Sequence, residues 1–475
     1  MSKELPKGWV WATVEDLLAE KIVNGRSVPT REGGFPVLKL NAIKNGYIDP
    51  SVAKEGSWSE SEAEPYILRS GDFLLSRGNG TLSLVGRGGL VLEERKVAFP
   101  DTMMRIRINS GLVDEKYFCL IWNGPLVRRE IESSARTTAG IYKVNQEILR
   151  NITIPLPPLA EQVRIVSALE TELSRLDAAL RQIYRSLGSV EKFVKSVRRH
   201  VLEVDSEGKL GKLGDLLVGI EAGKSFACEA RPAREDEWGI IKVSAMTWGE
   251  FREGENKALI SGRDFDSRYE INSGDILVSR ANTREYVGAP VLVGEVRSKL
   301  LLSDKSLRLI PGEGVDRDWL IQLLSSPQVR EQISDRATGT KDSMRNISQK
   351  SLMDIEVRIP ESGRQRELAL RVQESLRDVS RLRSALLLTR KRADHLRQAL
   401  LTAAFTGKLI PQDPADEPAA ALLERSRSER ASAPIPKRAR RSTIKTSARL
   451  ASAADVRAPE DSQPVHAGEQ TALEF

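Results

Sequence analysis

Ser70-Gly-Asp-Phe-Leu-Leu-Ser-Arg77 occurs twice in this chain. It returns as Ser273-Gly-Asp-Ile-Leu-Val-Ser-Arg280, 203 positions later. The same offset carries Val37-Leu-Lys-Leu-Asn-Ala42 onto Ile240-Ile-Lys-Val-Ser-Ala245. It also carries Val144, Gln146, Leu149, Ile152, Ile154, Pro157 and Gln162 onto Ile347, Gln349, Leu352, Ile355, Val357, Pro360 and Gln365. Separate matches at one offset mark a duplicated domain, because the period is far too long for a solenoid. Two similar halves present two similar surfaces, so a target with two parts is expected.

Each half reads as a mixed globular domain followed by a long helix. Short β-branched runs broken by Gly, Asn and Asp read as strands: Phe73-Leu-Leu, Leu90-Val-Leu, Met104 to Ile108, Asp275 to Val278 and Pro290 to Val293. Tyr117 to Trp122 and Asp318 to Leu324 read as short helices. After Pro157-Pro158 the apolar residues step by three and four: Val166, Leu169, Leu173, Leu176, Leu180, Ile183, Leu187, Val190, Val194, Val197, Val201 and Val204. That is a sustained heptad seam, the signature of a coiled coil. A second seam follows Pro360 through Val372, Leu376, Val379, Leu382, Leu386, Thr389, Ala393, Leu396, Leu400 and Ala403. Its two successive steps of three at Val379 and Leu382 are a stammer. Each helix is on the order of 60 Å long.

A whole domain separates the two helices in sequence. If they pack antiparallel, the domains sit at opposite ends and a pseudo-two-fold axis relates the halves. The competing arrangement pairs each seam with another copy of the chain. The expected class is α+β: two tandem mixed α/β domains (1–157 and 206–360) separated by two long helices (158–205 and 361–406) packed as an antiparallel coiled coil. Residues 407–475 are mostly Ala, Ser, Pro and charge, too poor in apolar side chains to fold alone, so a disordered charged tail is expected. Its cluster Lys437-Arg-Ala-Arg-Arg441 could touch phosphates, although a solvated face explains such runs more often.

The net charge of +7 and pI near 9.2 point to a polyanionic partner, though many globular proteins are mildly basic. No apolar run reaches the roughly 18 residues of a membrane helix. The start MSKELPKGWVWATVEDLL lacks an apolar stretch with a small-residue cleavage site, so a soluble, cytoplasmic protein is expected. Cys119 and Cys228 read as two reduced thiols at non-equivalent places, and three scattered histidines offer no metal spacing.

Catalytic motifs are missing. There is no GxxxxGK[ST], no strand-to-helix GxGxxG, no Asn-Pro-Pro-aromatic motif and no nucleophile with a base at a known spacing. One loose nuclease-like pattern, Asp101 with Asp114-Glu-Lys116, is not repeated: Asp114 and Lys116 map onto Arg317 and Trp319. The better candidates are polar loop residues at equivalent places, of types that donate or accept toward base edges. In the first half these are Lys39, Asn41, Arg77, Asn79, Thr81, Arg136, Thr137, Thr138 and Lys143. In the second they are Lys242, Ser244, Arg280, Asn282, Thr283, Arg284, Lys341, Arg345 and Asn346. A duplicated scaffold with divergent polar loops suits two different short DNA sequences. For any single residue the plain alternative is a solvated loop or a phosphate contact without sequence information.

These features resemble the specificity (S) subunit of type I restriction–modification systems over residues 1 to about 410. The carrying residues are Gly-Asp-[Phe/Ile]-Leu-x-Ser-Arg at 71–77 and 274–280, Ile154-Pro-Leu-Pro-Pro-Leu-Ala-Glu-Gln162 before the first helix, and Phe405-Thr-Gly-Lys-Leu409 after the second. The second copy, Ile359-Pro-Glu-Ser-Gly-Arg-Gln365, keeps only Pro and Gln, which leaves the start of helix two open. The resemblance implies two target-recognition domains reading a bipartite asymmetric DNA target, with the helix pair as the ruler for its spacer. It implies two adenine-methylating (M) subunits on the helices and a motor-endonuclease (R) subunit for cleavage. It places S-adenosylmethionine, ATP and magnesium on those partners and no cofactor, metal or catalysis on this chain. Two rival readings are a restriction nuclease with fused specificity domains and a sequence-independent DNA-binding coiled-coil scaffold.

Overall fold

The computed structural model describes residues 4–432, apart from 139, 205–206, 248, 261–265 and 340–343. The chain divides into two units, residues 1–424 and 425–475. The second is described only from 425 to 432, where it is helical.

Within the first unit, each globular domain is closed by pairing its own ends. Val10–Thr13 runs antiparallel to Thr153–Leu156, and Lys209–Lys212 runs antiparallel to Glu356–Ile359. Domain 1 holds a six-stranded and a four-stranded sheet, domain 2 a four-stranded and a three-stranded sheet. The repeated motif forms a central strand in each, Phe73–Ser76 or Ile276–Ser279. Its registers repeat as well. Ser76 lies opposite Met103 and Leu74 opposite Gly89, while Ser279 lies opposite Ser306 and Leu277 opposite Val291.

Most of the motif is structural. Gly71 and Gly274 take φ of +84° and +86°, a region that favours glycine. Asp72 accepts the Arg69 N–H at 2.9 Å and the Arg107 guanidinium at 2.5 Å. Asp275 repeats this with the Asn272 N–H and Arg308. Each arginine has a second carboxylate, Glu20 or Glu221. A buried carboxylate needs such partners, because desolvation without them is costly.

The first long helix spans Leu159–Arg199 and ends in a π turn, His200–Val204; the second spans Ser362–Phe405. The shared glutamine resolves the start of helix two. Gln162 accepts the Asp114 N–H and donates to the Pro157 carbonyl, and Gln365 does the same with Asp316 and Pro360. Both glutamines thus tie a long helix to the capped start of a short one, Glu115–Trp122 or Arg317–Leu324.

The helices pack antiparallel. Ile165, Val166 and Leu169 share the domain 1 core with Leu401, Ala404 and Phe405, while Val201 and Leu202 share the domain 2 core with Leu368, Ala369 and Val372. Between these ends Arg397 pairs with Asp177, and the Arg390 guanidinium lies 5.7 Å from the Tyr184 ring centre.

The first seam is as expected, with Val166, Leu169, Leu176, Ile183 and Val190 buried. The second is corrected. Leu382 and Leu396 are 52% and 51% exposed, and Thr389 is exposed. The stammer rotates the inward stripe, so Arg390 and Arg397 meet the first helix and Leu401 and Ala404 are buried where Leu400 and Ala403 were expected.

The unstructured tail expected from residue 407 is corrected over its first part. Asp416 pairs with Arg164 at 2.5 Å, and the Ala419 N–H donates to the Gly8 carbonyl at 2.9 Å. Ala419 and Leu423 are buried in the domain 1 core. A few well-placed apolar side chains suffice once a preformed surface is there to receive them. The cluster 437–441 lies outside the described residues.

Candidate nucleic-acid interface

The motif strand of each domain turns a corner at its arginine and enters a small antiparallel ribbon. In domain 1 the Arg77 N–H donates to the Thr102 carbonyl at 2.8 Å, and its own carbonyl accepts the Val144 N–H at 3.1 Å. In domain 2 Arg280 makes the equivalent bonds with Lys305 and Ile347, at 2.8 and 3.0 Å. These main-chain bonds fix the corner without using the arginine side chain.

The first ribbon has three strands, ordered Arg136–Thr138, Ile141–Lys143, Gly78–Asn79. Arg136 lies opposite Lys143, Thr137 opposite Tyr142, and Tyr142 opposite Asn79. The Asn79 side chain accepts the Thr81 N–H at 3.0 Å, which shapes the loop leaving the ribbon. The second ribbon pairs Ala281 with Asn346 and Asn282 with Arg345. Thr338 bridges to Asn346 as a third element. The Asn282 side chain accepts the Thr283 N–H at 2.8 Å.

Two groups of sequence-predicted residues therefore come together. Arg77, Asn79, Thr81, Arg136, Thr137 and Lys143 surround the first ribbon, and Arg280, Asn282, Thr283, Arg345 and Asn346 the second. Arg284 follows on the next loop. Lys39 and Asn41 stand apart, beside and within the turn Leu40–Ala42, and Lys242 and Ser244 stand likewise beside and within the equivalent turn Val243–Met246. Lys341 lies outside the described residues.

The side chains differ in availability. Those of Arg77, Arg136, Lys143 and Arg280 make no hydrogen bond or ion pair to a described residue. Other domain 2 candidates are engaged. Arg284 donates to the Ser334 hydroxyl at 3.2 Å and Arg345 to the Gly339 carbonyl at 3.0 Å. Ser244 and Lys242 both reach Glu255, at 2.7 and 3.3 Å. The Ser244 hydrogen bond, then that of Lys242, holds the Glu255 carboxyl below its ordinary range.

Two further arginines, Arg128 and Arg330, are internal pins. Arg128 donates to the Val85 and Ser83 carbonyls at 2.7 and 3.2 Å, and Arg330 to those of Val287 and Glu285 at 2.7 and 2.9 Å. Burial pushes the Arg330 guanidinium down to about 10, and lowers Arg128 in the same direction. Both hold the loop that follows the ribbon strand. The nuclease-like pattern dissolves in a similar way. Asp114 caps the helix Glu115–Trp122, and Lys116 pairs with Glu170 at 2.8 Å. Among the described residues no group of three or more His, Cys, Asp or Glu side chains could hold a metal ion, and no helix is long and apolar enough to cross a membrane.

The ribbons also carry residues outside the polar candidate set: Ile141, Tyr142 and Met344. A search confined to polar types passes over them, although the repeat offset joins Ile141 to Met344.

Residues 6–184 match the family described as "Type I restriction modification DNA specificity domain". The chain is 24% identical to the type I restriction enzyme EcoEI specificity subunit of Escherichia coli, over 85% of this chain and 83% of that one. It is 23% identical to the type I restriction enzyme StySPI specificity subunit of Salmonella potsdam, over 90% of this chain and 96% of that one. A solved structure described as "Structural basis underlying complex assembly and conformational transition of the type I R-M system" shares the fold. It covers 86% of this chain and 100% of its own, with a TM-score of 0.57 at 20% identity.

Proposed function

The chain belongs to the specificity subunits of type I restriction–modification systems, their non-catalytic DNA-recognition components, and from that premise we propose that its two ribbons read the two halves of a bipartite, asymmetric duplex target. The observation that carries this is the pair of ribbons. They leave equivalent corners of two equivalent domains, on the same main-chain bonds, yet present different side chains. A shared scaffold gives both the same approach to DNA, and the differing side chains give each its own base preference.

The helix pair sets the distance between the half-sites. From Leu169, in the domain 1 core, to Val197, packed against the domain 2 core, the first helix rises by about 42 Å. One turn of duplex, the natural spacing of half-sites read from one face, is about 34 Å. The helices also dock two M subunits. In support, Tyr184 and Phe193 on the first helix and Leu387 and Leu396 on the second are exposed apolar residues, related in pairs by the 203-residue offset. Two equivalent sets suit two copies of one partner. An R subunit completes the assembly in the cytoplasm. Adenine methylation then takes place on M with S-adenosylmethionine, and cleavage on R with ATP and magnesium.

The deciding experiment is a genome-wide map of 6-methyladenine in the source cell and in a strain lacking this gene. Loss of one bipartite motif is expected. Equal binding of the purified complex to every duplex would favour the plain scaffold, and metal-dependent cleavage by this chain alone would favour the fused nuclease. The ruler has its own test. One heptad added to each helix at facing positions lengthens the pair by about 10 Å, so the spacer should grow by about three base pairs. An unchanged spacer would end the ruler idea.

A further inference from the structure

Isolated apolar side chains on a surface are ordinary and need no explanation. One pair here is not isolated in that sense. Ile141 is 43% exposed and Met344 is 48% exposed, and they stand 203 positions apart, at equivalent points of the two ribbons. Among the described residues of the two globular domains, no other exposed large apolar side chain has an exposed apolar counterpart at that offset. Their neighbours diverge completely: Tyr142-Lys143 in one ribbon, Arg345-Asn346 in the other. Apolar character persists while the two residues that follow it change.

The local geometry keeps Ile141 outward. It opens the strand Ile141–Lys143, and alternate residues of a strand share a face, so Ile141 stands beside Lys143. Both lie over Gly78, where a Cβ would come within 3.2 Å of Lys143 Cγ and 3.7 Å of Ile141 Cγ2. Glycine there makes room for the Lys143 and Ile141 side chains on that face. Met344 likewise sits immediately before the strand Arg345–Asn346, which is paired to the strand after Arg280.

What such a pair would meet follows from the bases. A two-stranded antiparallel ribbon fits the major groove; domain 1 offers the pair Arg136–Thr138 and Ile141–Lys143 within its three-stranded ribbon, and domain 2 the pair Ala281–Asn282 and Arg345–Asn346. The one apolar group on a major-groove edge is the thymine 5-methyl. If each half-site holds an adenine to be methylated, each holds an A·T pair and hence that methyl. We propose that Ile141 and Met344 are specificity-determining residues that pack on a thymine 5-methyl group, one in each half-site. The proposal rests on the two-ribbon reading above.

The test uses the full chain in its methyltransferase complex and duplexes bearing the mapped motif. In one series the thymines of a single half-site are replaced by deoxyuridine, which lacks the methyl. The wild-type complex should lose affinity about four-fold for either substitution, the worth of one buried methyl. Ile141→Ala should bind the normal motif about four-fold more weakly and ignore deoxyuridine in its own half-site, while remaining sensitive in the other. Met344→Ala should show the mirror image, and Ile141→Leu should restore sensitivity. Both side chains are exposed, so truncation leaves the core intact. A wild-type complex indifferent to deoxyuridine overturns the proposal, as does an Ile141→Ala complex that keeps full sensitivity. A complex that prefers no motif at all overturns the ribbon reading instead, and the two failures are told apart by the unmodified duplex.

Discussion

The two ribbons share a backbone and differ in what their surroundings do with charge. Around the first, Arg77, Arg136 and Lys143 hold no described side-chain partner. In domain 2, Arg280 is equally open, but Arg284, Arg345, Lys242 and Ser244 are bound to groups of their own domain. Duplication copied the corner and its main-chain bonds. It did not copy the electrostatic state. If both ribbons meet DNA as proposed, domain 1 would do so with donors already free, whereas Arg284, Arg345, Lys242 and Ser244 of domain 2 would first have to exchange internal hydrogen bonds for external ones. That difference gives three ways to probe the pair.

The largest effect should come from the part the domains share. Asp72 is 1% exposed, and Asp72→Ala removes the buried partner of the Arg107 guanidinium and leaves it with Glu20 alone. Because Glu20 stays in place, the loss should fall at the low end for breaking a buried pair from one side, about 3 kcal/mol. Asp275 is less enclosed, at 18%, so Asp275→Ala should cost about 2 kcal/mol. Urea denaturation of the two variants measures both. Equal losses would mean that the two copies are energetically alike despite their different burial.

The scaffold was legible in the sequence because it repeats. Matching side chains at one offset gave the motif strand and marked the two glutamines, and the two apolar seams with a domain between them gave the antiparallel helix pair as one of two arrangements. The second long helix was less legible, since Leu382 and Leu396 keep apolar spacing while Arg390 and Arg397 make the contacts. A long arginine can reach across by its stem and pair with Asp177 or stack on Tyr184, which a hydrophobic pattern does not register. The candidate site was legible as a set of residue types. Its grouping was not, because Arg136 and Lys143 join Asn79 only through strand pairing between segments far apart in sequence. Nor did sequence show Arg128 and Arg330 as internal pins, unlike Arg77, whose side chain has no described partner. The distinction is burial against carbonyls, a tertiary property.

The middle effect concerns the two open arginines. Arg77→Ala should weaken binding by about 1–3 kcal/mol through one half-site only, and Arg280→Ala through the other, if each is bidentate to a base. Duplexes with one half-site scrambled separate the contributions. Should Arg77→Ala reduce both equally, its role is in the corner and not in the groove.

The smallest effect tests whether domain 2 really has to let go of its own contacts. Glu255 holds Ser244 and Lys242, and its carboxyl lies below the ordinary range because those two groups favour the charged form. A depressed carboxylate stays ionised above its unfolded value, and the contact is lost only as pH falls through the folded one. Lowering the pH from 8 to 6 should therefore leave the latch shut. Glu255→Gln removes the charge at any pH while keeping an acceptor for Ser244. Lys242 is then free to meet a phosphate, so affinity should rise by about 0.5–1 kcal/mol and the salt dependence should steepen by about one ion. The same change in domain 1 has no counterpart, since Lys39 has no described carboxylate to release. If Glu255→Gln leaves the salt slope as it was, Lys242 and Ser244 belong to the turn Val243–Met246 as structural residues. The difference between the domains then narrows to Arg284 and Arg345.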